Sequence, residues 1–344
     1  MPDIVNRQVV LASRPEGEPR DENFKIIEGP VPDCGEGEVL VRTIYLSLDP
    51  YMRGRMSAAK SYAQPVPIGG VMEGGAVSEV ITSRDDKFKQ GDIVVGSTGW
   101  QTHAVAKGAY LAKVGIPNQI APISTAVGVL GMPGMTAYTG LLNIGQPRPG
   151  ETVVVAAASG AVGSIVGQIA KIKGARAIGI AGGKTKCDFV VNELGFDACL
   201  DHRDKDLASL LAETCPKGID VYFENVGGPV SEAVFPLLNN FARVPVCGLI
   251  ANYNDSAPPP GPNMAPALMR SILTKRLTLR GFIVSDFAEQ RDQFLADVSN
   301  WIVEGKIKYR EDVVDGLENA PRAFQGLLRG ENFGKLVVKV AELN

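Results

Sequence analysis

The clearest chemistry in the chain lies in one run of small residues, Val153-Val154-Val155-Ala156-Ala157-Ala158-Ser159-Gly160-Ala161-Val162-Gly163-Ser164. It reads as a buried strand, a tight turn and the first turn of a helix. Free backbone amides and the positive end of a helix dipole meet at such a turn, and together they hold the pyrophosphate of a dinucleotide. The full fingerprint has three glycines spaced G-x-G-x-x-G. Here Ala158 takes the first place, and Gly160 and Gly163 take the others. Alanine is tolerated at the first place if its φ stays negative. Gly160 lets the backbone approach a phosphate, and Gly163 lets the helix lie close to the strand. A small-residue turn can also be mere packing. The valine run before it and the strand–helix units after it favour the cofactor reading.

The end of the second strand selects the cofactor. Sites for NAD place Asp or Glu there, on the ribose diol. This chain reads Ile180-Ala181-Gly182-Gly183-Lys184-Thr185-Lys186, with no carboxylate and two lysines. Lys184 and Lys186 either solvate a helix start or meet a 2′-phosphate. A cation at a helix N-terminus is unfavourable unless an anion is bound, so the electrostatic argument favours NADP.

Metal chemistry has no residues to carry it. The chain has two histidines, His103 and His202, and five dispersed cysteines with no C-x-x-C spacing. Zinc sites are built from Cys and His clusters, so no metal is expected. His103, in Trp100-Gln101-Thr102-His103-Ala104, reads as a structural histidine. Dispersed thiols in odd number point to a reducing, cytoplasmic compartment. No secretory leader opens the sequence and no apolar run is long enough to span a bilayer.

The elements that must position these residues fall into two textures. Residues 1–123 are rich in Val, Gly and Pro, with alternating strands such as Glu38-Val39-Leu40-Val41-Arg42-Thr43-Ile44-Tyr45. With a return over 308–344, they predict a β-rich, barrel-like (GroES-like) catalytic domain. Residues 124–307 predict an α/β, doubly wound, parallel-sheet Rossmann domain. A small-residue helical stretch covers 124–142, and a helix over 161–173 puts Val162, Ile165, Val166, Ile169 and Ile172 on one face. Strands are expected over 177–180, 198–200, 220–223, 242–246, 277–284 and 335–340. Helices are expected over 184–194, 204–214, 229–238, 287–304 and 317–329. The proline-rich stretch 257–262 reads as a stiff loop inside the second domain.

Composition narrows the function classes. The chain has 344 residues, 45% hydrophobic and 21% charged, with a formal net charge of −3. An ordinary globular protein with a sizeable core follows. Without a basic run, nucleic-acid binding has no support, and neither does membrane insertion.

Several further segments resemble the zinc-independent leukotriene/prostaglandin reductase and 2-alkenal (double-bond) reductase branch of the medium-chain dehydrogenase/reductase superfamily. They are Leu48-Asp49-Pro50-Tyr51-Met52-Arg53, Gly131-Met132-Pro133-Gly134-Met135-Thr136-Ala137-Tyr138, Ala156 to Ser164, Phe223-Glu224-Asn225-Val226-Gly227-Gly228, Cys247-Gly248-Leu249-Ile250-Ala251-Asn252-Tyr253-Asn254 and Asn332-Phe333-Gly334-Lys335. Zinc-dependent members carry Gly-His-Glu where this chain has Val71-Met72-Glu73, and a ligating Cys in the region of Ser47-Leu48-Asp49. They also have a four-cysteine lobe that is absent here.

The resemblance implies NADPH-dependent reduction of the carbon–carbon double bond of hydrophobic α,β-unsaturated ketones and aldehydes by a homodimer. It places Gly160, Ala161, Val162 and Gly163 on the pyrophosphate and Lys184 on the 2′-phosphate, with Gly182 at the same strand end. Asn225, Asn332, Cys247 and Gly248 match cofactor contacts. Phe282, Ile283 and Val284 match the segment beside the carboxamide, and Met132 and Thr136 lie near the nicotinamide. Where the family has Asn-Tyr-Lys, this chain has Asp201-His202-Arg203. Either His202 or Arg203 takes over that cofactor contact, or both lie on the surface. Tyr51 and Tyr253 are the candidate catalytic phenols and substrate contacts, with Tyr253 also beside the cofactor. Tyr62 is a further substrate contact, and Arg53 is a structural partner for Asp49. The loop 252–262 is a candidate lid. Quinone reduction with NADPH is the alternative activity, and a non-catalytic NADPH-binding protein the alternative from another class.

Overall fold

The first strands form a hairpin, β1 (Val5–Leu11) running antiparallel to β2 (Phe24–Pro30). β3 (Glu38–Ser47) is followed by a four-residue helix, α1 (Met52–Arg55), and by β4 (Gly75–Ser83), β5 (Ile93–Ser97), β6 (His103–Lys107) and β7 (Ala112–Lys113). β3 organises this half. Its first half pairs with β6, and most of its length pairs with β4 through two register shifts. Such irregularities bend a strand, and β3 pairs with three others, β4, β6 and the last strand of the chain. This is a computed structural model, and it describes residues 5–116, 120–257 and 263–343.

The described chain divides into two compact units, 1–128 with 311–344, and 129–310. The second unit opens with α2 (Met132–Thr139). The expected single helical stretch over 124–142 is three pieces, a 3-10 turn over Ile123–Val127, α2, and a π-helical turn over Gly140–Gly145. Glycine causes the first break, since Gly128 adopts φ −125°, ψ −117°, outside any helix. At Gly140 the backbone stays helical (φ −61°, ψ −43°) and α2 runs on into the π-helical turn.

Six parallel strands follow: β8 (Thr152–Ala156), β9 (Arg176–Ala181), β10 (Ala198–Asp201), β11 (Ile219–Phe223), β12 (Leu238–Val246) and β13 (Thr278–Gly281). Their order is β10-β9-β8-β11-β12-β13, all parallel. This is the doubly wound order with its switch point between β8 and β11. Val153, Val154 and Val155 are fully buried, as strands covered on both faces must be. The connecting helices are α3 (Gly163–Ile172), α4 (Lys184–Asn192), α5 (Leu207–Thr214) and α6 (Gly228–Val234). α7 (Ala265–Lys275) follows the proline-rich loop and was not foreseen from sequence, although Pro266 suits its first turn. α8 (Arg291–Val303) begins later than expected, because Phe287 breaks the helical path (φ −124°, ψ 26°).

The chain then returns to the first unit with β14 (Glu311–Asp315), α9 (Ala320–Leu328) and β15 (Lys335–Lys339). The barrel-like sheet has the order β14-β15-β3-β4-β5-β7, with β6 also on β3. Its core centres on Trp100, stacked on Phe24 at 5.9 Å and met edge-on by Phe324 at 5.6 Å. Among the described residues, no helix is long and apolar enough to cross a membrane.

Candidate functional site

The turn after β8 has the geometry of an anion cradle. Ala157 adopts φ +52°, so the left-handed residue is the one before Ala158, whose own φ is not positive. The Gly160 amide closes the turn on the Ala157 carbonyl at 2.9 Å. A methyl group at 163 would lie 2.3 Å from the Ala157 oxygen, so only glycine lets α3 start against this turn. At 160 the same test gives 3.2 Å, and the bare Cα leaves the face of the turn open. Amides at a helix start lack intrahelical acceptors, which is what a pyrophosphate needs.

The alanine in place of the first glycine has a counterpart. A Cβ at Gly179 of β9 would lie 2.8 Å from the Ala158 Cβ. The second strand thus gives up a side chain where the turn carries one.

At the end of β9, Gly182 and Gly183 form a floor under two side chains from the turn after β10. A Cβ at 182 would lie 2.9 Å from His202 Nε2 and 3.4 Å from an Arg203 terminal nitrogen. Arg203 makes no side-chain hydrogen bond to the described residues. Lys184 begins α4, is 86% exposed and bonds Asp188 at 2.5 Å. His202 is held below its ordinary pKa, first by burial, with the Arg203 and Lys186 charges adding to this against Asp201. The strand end therefore has Lys184 and Lys186 beside it in sequence, and His202 and Arg203 brought to it only through the fold.

At the switch point, Asn225 donates from Nδ2 to the Ala156 carbonyl at 2.8 Å, joining the ends of β11 and β8. Buried Glu224 accepts the amides of Val226 (2.7 Å) and Gly227 (2.9 Å) and the Ser231 hydroxyl. Its carbonyl accepts the amides of Cys247 and Gly248. One acidic residue thus fixes the turns after β11 and β12, a role not visible in the sequence. Burial and then Glu224 push the Cys247 thiol up to about 12, so it stays a neutral thiol. The Tyr253 phenol oxygen lies 3.0 Å from where a Gly248 Cβ would be, and accepts the Leu249 amide at 3.4 Å.

After β13, Phe282 turns inward, edge-on to Phe223 at 6.3 Å, leaving its backbone at the strand end. The Ile283 amide is taken by the Asp286 carboxylate at 3.0 Å. The Val284 amide starts the next helical turn, where no intrahelical acceptor exists. Thr136 is buried and donates its hydroxyl to the Met132 carbonyl at 2.8 Å, so it can only accept from a ligand. The cradle, Gly182, His202, Asn225, Cys247 and Phe282 all follow the carboxyl ends of the six parallel strands. Ligands of open α/β sheets bind along that edge.

The remaining candidates belong to the first unit. Asn332 bonds the Gly334 carbonyl at 2.8 Å. Tyr51 precedes α1, and its phenol is pushed well above the ordinary range by burial, then by Asp49 and Glu73, against the pull of Arg55. Tyr62 is 60% exposed. Both rings face the Arg55 guanidinium, at 5.4 and 4.5 Å. Arg53 differs from expectation. It donates to the carbonyls of Gly17 (2.7 Å) and Pro15 (3.5 Å), while Asp49 takes the buried Lys335 ammonium at 2.9 Å and the Ser47 hydroxyl. Residues 258–262 of the candidate lid lie outside the described residues.

In the segment Ser47-Leu48-Asp49, the aspartate is engaged by the buried Lys335 ammonium. Among the described residues, no three His, Cys, Asp or Glu side chains are grouped to hold a metal. The donor set does not fit a zinc ion.

Residues 7–114 match a family described as the N-terminal domain of oxidoreductases, and residues 161–300 match a family described as zinc-binding dehydrogenase. The NADPH-dependent curcumin reductase of Escherichia coli is 56% identical over 98% of this chain and 97% of its own. The NADP(+)-dependent 2-alkenal reductase of Nicotiana tabacum is 40% identical over 98% of each chain. The crystal structure of CurA from Vibrio vulnificus in complex with NADPH superposes with a TM-score of 0.94 at 54% identity. It covers 98% of this chain and 99% of that one.

Proposed function

The chain belongs to the zinc-independent prostaglandin reductase and 2-alkenal reductase branch of the medium-chain dehydrogenase/reductase superfamily, an NADP-dependent oxidoreductase branch, and from there we propose that it reduces the carbon–carbon double bond of hydrophobic α,β-unsaturated ketones and aldehydes. The carrying observation is the cradle after β8. Its amides and missing Cβ at 160 fit a pyrophosphate, and the neighbouring strand β9 ends in Gly182-Gly183-Lys184 with Arg203 against the glycines and no carboxylate of its own.

When bound, NADPH supplies a hydride to the β-carbon of the substrate. Everything else falls to the chain. Gly160, Ala161, Val162 and Gly163 hold the pyrophosphate. Arg203, His202 and Lys184, over Gly182, take the 2′-phosphate; a guanidinium fork suits its planar pairs of oxygens. Asn225, Cys247, Gly248 and Asn332 line the path to the nicotinamide. Thr136, Met132 and the Phe282–Ile283–Val284 backbone flank its ring and carboxamide. Tyr253 and Tyr51 offer phenols to the enolate oxygen, and Tyr62 covers the substrate. Such donors matter most where charge develops. A homodimer in the cytoplasm, with the catalytic domain spanning 1–123 and 308–344 and the NADP domain spanning 124–307, is part of the same proposal.

The test is NADPH consumption with a panel of enones and enals, a simple quinone and no acceptor, with NADH in parallel. Turnover of enones with NADPH well above NADH is expected. Turnover with quinones alone would replace this reading, and NADPH binding without turnover of any acceptor would make the chain a non-catalytic binder.

A further inference from the structure

The helix α3 buries one residue that its apolar face does not call for. Gln168 is 3% exposed, beside the buried Ile165, Val166, Ile169 and Ala170. A buried amide has to find partners. The Gln168 Nε2 donates to the Ser164 carbonyl at 2.9 Å and to the Lys308 carbonyl at 2.8 Å, and its Oε1 accepts the Lys308 amide at 2.7 Å. Lys308 lies between α8 and β14, in the stretch by which the chain leaves the second unit. A side chain that pairs with both backbone groups of one residue takes the place of a neighbouring strand. At its other end the bonding runs into the cradle, where the Ser164 amide donates to the Gly160 carbonyl at 3.1 Å. Gly160, Ser164, Gln168 and Lys308 thus form one chain of hydrogen bonds, all within the second unit, from the phosphate turn to the return segment.

We propose that Gln168 is a positioning residue that couples occupancy of the phosphate turn to the order of the return segment 306–310. This rests on the NADP-dependent reading of the turn and goes beyond it by tying a segment outside the turn to the cofactor. Amides at a helix start lack intrahelical acceptors, and a pyrophosphate held at the turn supplies them. The first turn of α3 is then less free to fray. The Ser164 carbonyl belongs to that turn, so it is fixed with it and fixes the Gln168 amide in its turn. An amide already fixed loses less entropy when it bonds Lys308, so the two events favour one another. Linkage makes the coupling reciprocal, and whatever loosens segment 306–310 weakens NADPH binding. An apolar side chain at 168 fits the apolar face of α3 but leaves both Lys308 backbone groups without this partner. In the sequence Gln168 is one polar position on an apolar helix, because its partner lies 140 residues away.

The experiment is amide hydrogen exchange of the full chain, read on peptides spanning 305–311 with and without saturating NADPH, in the wild type and in Q168M, alongside NADPH affinity by fluorescence. In the wild type, NADPH should slow exchange of the Lys308 amide by about fivefold or more. In Q168M that amide should exchange fast in both states, and NADPH affinity should fall by about fivefold. Peptides spanning 184–203 should still gain protection from NADPH in the variant, which a general loss of folding would not allow. A purely structural role predicts faster exchange in Q168M by the same factor with and without NADPH, and unaltered affinity; that result would overturn the proposal. A wild-type Lys308 amide that ignores NADPH would overturn it as well, without recourse to any variant. If Q168M does not fold, Q168N takes its place, its amide one methylene short of Lys308, with the same expectations. Wild-type protein whose fluorescence does not respond to NADPH at all would instead sink the underlying reading of the cofactor.

Discussion

The methyl group of Ala158 occupies the space that a side chain on Gly179 would need, the two Cβ positions being 2.8 Å apart. The pair lies between the phosphate turn and the neighbouring strand, which are bonded by the Ala158 amide to the Ile180 carbonyl at 2.9 Å. The loss of one fingerprint glycine is thus offset by a glycine 21 residues later.

Gly179→Ala should therefore destabilise the protein by about 1–3 kcal/mol through overpacking against Ala158, Val190 and Cys199. Ala158→Gly in the same chain should recover part of that loss. Denaturant unfolding of the two single variants and the double variant measures the coupling, and strict additivity would refute the relationship.

Gly163→Ala meets backbone and has no side chain to displace. NADPH affinity should fall by at least about tenfold, because the turn must open to admit the methyl. Gly160→Ala, with 3.2 Å available, should fold normally and lose affinity only where the methyl faces the ligand. Fluorescence titration with NADPH separates the two.

Arg203→Ala should weaken NADPH by about tenfold or more while leaving NADH within about twofold, since charge-assisted bonds to a phosphate are worth about 1.5–3 kcal/mol each. Lys184→Ala should do less, its ammonium being solvated and bonded to Asp188. Equal losses for both cofactors would show that Arg203 shapes the strand end without touching the 2′-phosphate.

Glu224→Ala removes the acceptor of two amides and a hydroxyl in a buried turn, and should cost about 2–4 kcal/mol of stability. NADPH affinity should fall with it, since the turn of Val226 and Gly227 that follows Asn225 loses its acceptor, while the backbone carbonyl that holds Gly248 remains. Unfolding and titration run together check whether both move.

Both histidines are held below the ordinary 6.5, each chiefly by burial. The unfolded chain then binds more protons than the folded one just below that pH. Stability should be fully present above about 6.5 and decline as pH falls through the lower folded values. A second decline belongs below about 4, where Asp197, Asp201 and the Arg243-bonded Glu151 lose their partners; Glu311, raised by burial, works the other way. Thermal midpoints between pH 7.5 and 5.5 should fall less steeply in the H103N/H202N double variant than in the wild type.

The sequence by itself determined whatever depends on neighbours along the chain. The strand–turn–helix around Gly160 and Gly163, the parallel alternation, the lack of a diol-binding acid after Ile180 and the missing zinc ligands are all local spacings, and local spacing fixes backbone geometry. The cofactor class followed from them, and the family from the resemblance of longer segments such as Leu48 to Arg53 and Cys247 to Asn254. Tertiary structure decided which distant groups meet. Lys335 reaches Asp49 across 286 residues. His202 and Arg203 arrive over Gly182 only because β10 pairs with β9 in one register. Arg53 and Arg55 are two residues apart, yet the Arg55 guanidinium meets the Tyr51 and Tyr62 rings while Arg53 donates to the Gly17 carbonyl. Such meetings depend on strand order, register and burial, which no window of the chain contains.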